Sequence, residues 1–258
     1  MYKVSSLRTE VYGQPEKHFE AELYKKKKNN TVFYLNNALH IRRLTILAEI
    51  IRKISIENHN KKLTMINLGS GEGELERQVK SLTNLYKIGI DVSSEALGVG
   101  VKKKLFDRTI SVDIAKDLDK VKSLPKADIV VAGEILEHLK HPGVFIKENV
   151  KPLISEGGYF IGSVPNMAQL YDIFGLLTGK GESYQTTRPL TDITSGHISF
   201  FSIHSLLKTL DYAGYEKIGI KGNGVRINRK GDKNLFFLSK LPFFINFSDR
   251  LIFYCRKV

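Results

Sequence analysis

The chain has 258 residues, 42% of them apolar, and 40 Lys and Arg against 27 Asp and Glu give it a formal charge of +13. That length suits one α/β domain with additions. The single cysteine, Cys255, excludes an internal disulfide framework and fits a reducing compartment. No run of about 18 apolar residues is present to span a bilayer, and Met1 to Ser6 leads into charged sequence without a signal-peptide pattern. The expectation is a soluble, cytoplasmic protein. A field of this sign draws anions, so RNA, phosphorylated metabolites and anionic membrane surfaces all qualify as partners, as does a merely solvated lysine-rich surface. Local sources are Lys25 to Lys28, Arg42 and Arg43, Lys102 to Lys104, and Arg226 to Lys233.

Residues 1–60 read as an N-terminal helical extension. Leu44, Leu47, Ala48, Ile51 and Ile54 fall at helical spacing and form one apolar stripe that docks on the domain; Tyr12 to Asn30, polar and charged, reads as a lid. The domain at 61–258 begins with an apolar strand, Thr64 to Leu68, that empties into Gly69-Ser70-Gly71-Glu72-Gly73 and then a helical pattern through Leu75, Val79 and Leu82. Glycines there allow positive φ and close ligand approach, and the fresh helix N-terminus favours an anionic group. A dinucleotide fingerprint needs Gly-x-Gly-x-x-Gly, and Glu74 stands where its third glycine belongs, which disfavours a nicotinamide oxidoreductase. The absence of Gly-Lys-Ser/Thr excludes a P-loop.

Lys87 to Asp91 reads as a second strand ending in a carboxylate, 91 − 69 = 22 residues after the first glycine, the separation of a ribose-binding acid. A third strand, Thr109 to Val112, ends at Asp113, an acceptor for an adenine amine. Asp128 to Ala132 follows, then a helix carrying Ile146, Val150 and Leu153, then a fifth strand at Gly158 to Val164. Such alternation means a doubly wound, parallel sheet covered on both faces, with ligands at the carboxyl ends of its strands. Asn166 to His197 is a substrate-side insertion with an apolar helical segment at Leu170, Ile173, Phe174 and Leu177. Asn234 to Phe244, aromatic and basic together, is either core packing or a wall that touches a lipid surface.

These residues resemble the class I S-adenosylmethionine-dependent methyltransferases from about Leu63 to the C-terminus. Asn67 to Gly73 looks like that family's first motif, Gly89-Ile90-Asp91-Val92-Ser93 its ribose motif, and Ser111-Val112-Asp113-Ile114 its adenine-contacting strand end. Asp128 to Leu139, Leu153 to Gly158, Ser163 to Asn166, His197 to Ser202 and Asp211 to Tyr215 look like the branch of ubiquinone-pathway, polysaccharide-cluster and small-RNA methyltransferases. Two departures stand out: Asn67 replaces the usual acid of the first motif, and Ser70 its usual Cys or small residue. The resemblance implies a seven-stranded, mostly parallel Rossmann-like sheet whose antiparallel member lies at Arg250 to Lys257. It implies S-adenosylmethionine as cofactor, held by Gly69, Ser70, Gly71, Asp91, Val92, Asp113, Ile114 and Glu134.

The implied reaction is in-line displacement at a sulfonium methyl carbon, for which the protein aligns a nucleophile and removes its proton. His138, just past the fourth strand, is the first candidate base and His197 the second. Glu134, Glu137 and His138 at i, i+3 and i+4 would share one face of a helix, and with His197 could form a divalent-cation site, as the pattern does in resembling enzymes. The leading function is O-methylation of a small or lipid-linked acceptor, sugar or quinone-like. The alternatives are an RNA methyltransferase, suggested by the charge, and a non-catalytic cofactor-binding protein, suggested by Asn67.

Overall fold

The computed structural model describes residues 38–117, 120, 122–179, 197–228 and 233–257. The expected lid and the glycine- and threonine-rich end of the insertion lie outside these residues. The apolar stripe of the N-terminal extension forms helix α1, Ala38–Glu57, in which Leu44, Leu47, Ala48, Ile51 and Ile54 are all buried.

Seven strands make one sheet: β1 (Leu63–Leu68), β2 (Leu85–Asp91), β3 (Arg108–Ser111), β4 (Ala127–Gly133), β5 (Ile154–Pro165), β6 (Ile218–Gly222) and, after a small ribbon of β7 (Val225–Arg226) and β8 (Asn234–Leu235), β9 (Arg250–Arg256). Their order is β3-β2-β1-β4-β5-β9-β6. β9 runs antiparallel to both β5 and β6, with Gly162 opposite Phe253; the pairings from β3 through β5 are parallel. β1 therefore sits between β2 and β4, where the strand order reverses and a crevice opens at the carboxyl ends.

Successive strand side chains point to opposite faces, and both faces are covered. On one, Met65, Ile129, Val131, Ile161 and Ile252 pack under the stripe of α1. On the other, Ile66, Ile88, Val130, Phe160 and Phe253 pack against Ile146, Val150, Leu206 and Leu210. The last two belong to helix α6, Ile203–Tyr212, whose first turn is closed by reciprocal bonds between Ser202 and Ser205.

Three elements depart from the periodic reading. The helix after β1, α2, covers only Glu74–Gln78; Leu82 follows in a separate turn but still packs on the core. The helix after β4 starts with Pro142–Phe145 (α4), widens at Ile146–Val150 and tightens at Lys151–Leu153, where Pro152 cannot continue an α-helical ladder. The insertion helix α5, Leu170–Leu177, does not turn its apolar residues inward: Leu170, Phe174 and Leu177 are all exposed. Between α2 and β2 come no further helices among the described residues; α3, Ser94–Lys102, follows β2 with Ser93 as its cap. No described helix is long and apolar enough to cross a membrane.

Candidate functional site

The carboxyl end of β1 breaks into a loop in which Gly69, Gly71 and Gly73 all have positive φ, 72°, 54° and 82°. The loop is held from below: the amides of Gly69 and Ser70 both donate to Ile90 O, at 2.7 and 2.9 Å. A Cβ added at Gly71 would meet no atom within 4 Å, so the space above the loop is open to a ligand. At Gly69 a Cβ would lie 2.2 Å from Ile135 Cδ1. Gly69→Ala is accordingly expected to lower unfolding free energy by about 2 kcal/mol or more, from left-handed strain and the clash together, as read by urea denaturation.

Asp91 ends β2 beside this loop. Its Oδ2 accepts from Gly71 N at 2.8 Å and its Oδ1 from Ser93 N at 2.9 Å, which fixes the carboxylate and leaves a lone pair on each oxygen for further donors. Burial pushes its pKa up, against the pull of those backbone bonds. Val92 is half-buried next to it. On the next strand Asp113 closes its own turn, accepting from Ala115 N at 3.0 Å with Lys116 Nζ 3.8 Å away, and Ile114 packs against the core. The residues named from the first three motifs thus come together along one edge of the sheet.

The side chain of Asn67, which stands where the first motif usually has an acid, bonds to a buried carboxyl on α2. Glu76, on α2 and fully buried, accepts from Asn67 Nδ2 at 2.8 Å, while its Oε2 has no hydrogen-bond partner. Burial raises the Glu76 pKa to about 7, despite the Asn67 bond. Between the ordinary value of 4.5 and about 7 the folded protein keeps a proton that the unfolded chain releases, so stability falls as pH rises through that window. The loss should reach about 3 kcal/mol and level off above pH 7. Glu76→Gln is expected to flatten this slope, measured by denaturant unfolding on either side of the window.

Glu134 does not join the cation cluster that helical spacing suggested. Its φ is 59°, and Leu136–His138 is a tight 3-10 turn, so i, i+3 and i+4 do not share a face here. Its carboxylate instead accepts from Arg250 Nε at 2.6 Å and from Ser163 Oγ at 3.0 Å, and Ser163 in turn accepts from Arg43 Nη1 at 3.0 Å. Burial would raise its pKa, but Arg250 and Arg43 together with these bonds hold it down at about 2. Arg43, only 7% exposed, is the residue that sequence reading missed. Its signal was there: an arginine four residues before Leu47, on the apolar stripe of an amphipathic helix.

Glu137, His138 and His197 do come together. One ligand atom from each lies within 4.8 Å of the others, and the two imidazole rings are 5.0 Å apart edge to face. His197 reaches this place because the chain after it is tied to the turn: Ile198 N and Ser199 N both donate to Glu137 O, at 2.8 and 2.9 Å, and Ser199 Oγ donates to Leu139 O. The Glu137 side chain is 1% exposed, neither of its oxygens has a hydrogen-bond partner, and His197 Nε2 is 3.9 Å from Oε1. Burial first, then the charge of Glu134, raises its pKa well above the usual carboxylate value. A buried carboxyl without hydrogen-bond partners beside two imidazoles is a donor set that could hold a divalent cation.

The strand order, with antiparallel β9 between β5 and β6, and the glycine loop and acid at the ends of β1 and β2, define a class I S-adenosylmethionine-dependent methyltransferase. The chain matches a family model described as a methyltransferase domain over residues 39–219, and it belongs to that family. A ubiquinone biosynthesis O-methyltransferase of Paraburkholderia phytofirmans is 28% identical over 175 residues, 67% of this chain and 72% of that protein. The mitochondrial ubiquinone biosynthesis O-methyltransferase of Candida albicans is 27% identical over 110 residues, 41% of this chain and 34% of its own, so the match spans about a third of that relative. The crystal structure of the plantazolicin methyltransferase BpumL, with a triazolic desmethylPZN analog and SAH, shares the fold with a TM-score of 0.60 at 16% identity, covering 93% of this chain and 95% of that one.

Proposed function

We propose that this protein transfers the methyl group of S-adenosylmethionine to a hydroxyl oxygen of a small or lipid-linked acceptor, at the mouth formed by Glu137, His138 and His197. The observation that carries the acceptor half is Glu137, a buried carboxyl whose two oxygens lack partners beside two histidines. The relatives named as O-methyltransferases support oxygen as the atom methylated.

In this reading Gly69, Ser70 and Gly71 let the cofactor lie against the main chain, Asp91 accepts from both ribose hydroxyls, Val92 and Ile114 flank the adenine, and Asp113 accepts from its amine. Glu134, fixed by Arg250 and Ser163, and Arg43 beside it face the amino-acid end, where a guanidinium suits the carboxylate and a carboxylate the ammonium. The bound cofactor supplies a methyl carbon already activated by its sulfonium, so alignment and water exclusion are what remain for the protein. Glu137, His138 and His197 would hold a divalent cation, which lowers the pKa of a coordinated hydroxyl.

A second reading keeps His138 as general base with His197 behind it, favoured by the exposure of His138 at the rim. An RNA acceptor is the alternative that the charge of +13 favours. Labelled S-adenosylmethionine, incubated with the protein and fractionated cell extract with and without a chelator, separates these. Label in quinone, glycan or lipid fractions that is lost on chelation supports the proposal. Transfer insensitive to chelator but abolished in His138→Ala supports the base reading. Label in RNA, with activity falling steeply with salt, would replace the acceptor.

A further inference from the structure

Two elements at the carboxyl end of the sheet turn large apolar side chains to solvent. On α5, Phe174, Leu176 and Leu177 are 66%, 60% and 81% exposed; on the segment from Phe236 into helix α7, Pro242–Ile245, so are Phe237, Leu241 and Phe243, at 62%, 49% and 67%. The two lie side by side. Leu170 N donates to Phe247 O at 3.3 Å, Asn166 Nδ2 donates to Asn246 O and Ser248 O at 2.8 Å each, and Arg226 of the ribbon sits over the Tyr171 ring at 5.2 Å. Both are anchored next to the cleft, since α5 follows the end of β5 and the second segment feeds into Arg250, the partner of Glu134.

The charge on this face is one-sided. Among the described residues of 166–179 and 233–249 the acids are Asp172 and Asp249, and both are buried against Arg226, at 3.4 and 3.9 Å. The other charges there are Lys233 and Lys240, both exposed. A face with six large protruding apolar side chains and, among the described residues, no exposed acid is unusual for a surface that meets only water. Aromatic and leucine side chains that can sink into an acyl boundary, with lysines level with the headgroups and a whole-chain charge of +13, fit an anionic bilayer.

We infer that the face built from α5 and the Phe236 to Ile245 segment docks the enzyme peripherally on an anionic lipid surface, which places the rim of the cleft against the membrane. This inference stands on exposure and charge, and it holds whether or not the acceptor itself is lipid-linked.

The test is sedimentation of the full chain with vesicles of phosphatidylcholine alone or mixed equally with phosphatidylglycerol, at low and high salt. The expected result is binding to the mixed vesicles, weakened by salt, and at least tenfold weaker in Phe174→Ser/Leu177→Ser and in Phe237→Ser/Phe243→Ser, each checked for folding by its melting temperature. Two independent pairs keep the test decisive if one fails to fold. Absence of binding to mixed vesicles, equal binding to phosphatidylcholine alone, or variants that bind like the parent would each overturn the inference. So would a parent chain that is dimeric without lipid and becomes monomeric in the variants, since a second copy would then occupy the face.

Discussion

Asp91→Ala is expected to weaken S-adenosylmethionine binding at least about tenfold, or ~1.4 kcal/mol. The carboxylate is placed to do two jobs at once. It takes the amides of Gly71 and Ser93, which sets the glycine loop, and it has acceptor capacity left over the open space above Gly71. Alanine removes the acceptor proposed for the ribose and leaves two backbone donors to water, so some loss of loop order would add to the loss of contact. Asp91→Asn separates the two, because an amide oxygen can still accept from one loop amide but one side of the group becomes a donor. Its affinity should fall between the parent and the alanine variant. Titration calorimetry of the three proteins checks this, and an unchanged dissociation constant in Asp91→Ala would remove the ribose assignment.

The second large effect falls on the acceptor side. Glu137→Gln should lower methyl transfer by roughly 100-fold or more, as expected when a cation ligand is replaced by a weak one. The substitution is well isolated. The main-chain oxygen of Glu137 still ties down Ile198 and Ser199, so His197 keeps its place. S-Adenosylmethionine affinity should be unchanged, because the carboxyl oxygens make no hydrogen bond to the glycine loop or Asp91. Direct titration with manganese gives a readout apart from turnover: one site per chain in the parent, none in Glu137→Gln or His197→Ala. Equal manganese binding in parent and variants would show that the cluster holds no cation.

Much of this was legible in the residues. Short apolar runs and a period of 3.6 fix local structure, so β1 to β5 and the buried stripe of α1 could be read directly, whereas β9 was placed by the family resemblance and β6 was not read. That Gly69 to Gly73, Asp91 and Asp113 would lie at the same end of the sheet was readable, because each sits at the end of an apolar run and strand ends in a parallel sheet face one way. What failed was the inference from spacing where the backbone leaves the regular menu. Glu134, Glu137 and His138 look like one helical face, yet the left-handed φ at Glu134 sends its carboxylate to Arg250, 116 residues away in sequence. Long-range polar partners of this kind have no periodicity to betray them. The same holds for Glu76: Asn67 stands out as a departure in the sequence, but only the fold shows that a buried carboxyl on α2 bonds to it. Core packing was one of two readings left open for Asn234 to Phe244, where Phe237, Leu241 and Phe243 are exposed, because hydrophobicity alone does not say whether a partner surface is present.

The central claim is that S-adenosylmethionine lies over the Gly69–Gly73 loop with its ribose on Asp91. Crystals of the full chain grown with S-adenosylhomocysteine test it most directly. The account predicts both ribose hydroxyls within hydrogen-bonding distance of the Asp91 carboxylate, and the adenine beside Val92 and Ile114. A nucleoside bound elsewhere, or a cleft left empty at saturating ligand, would contradict it.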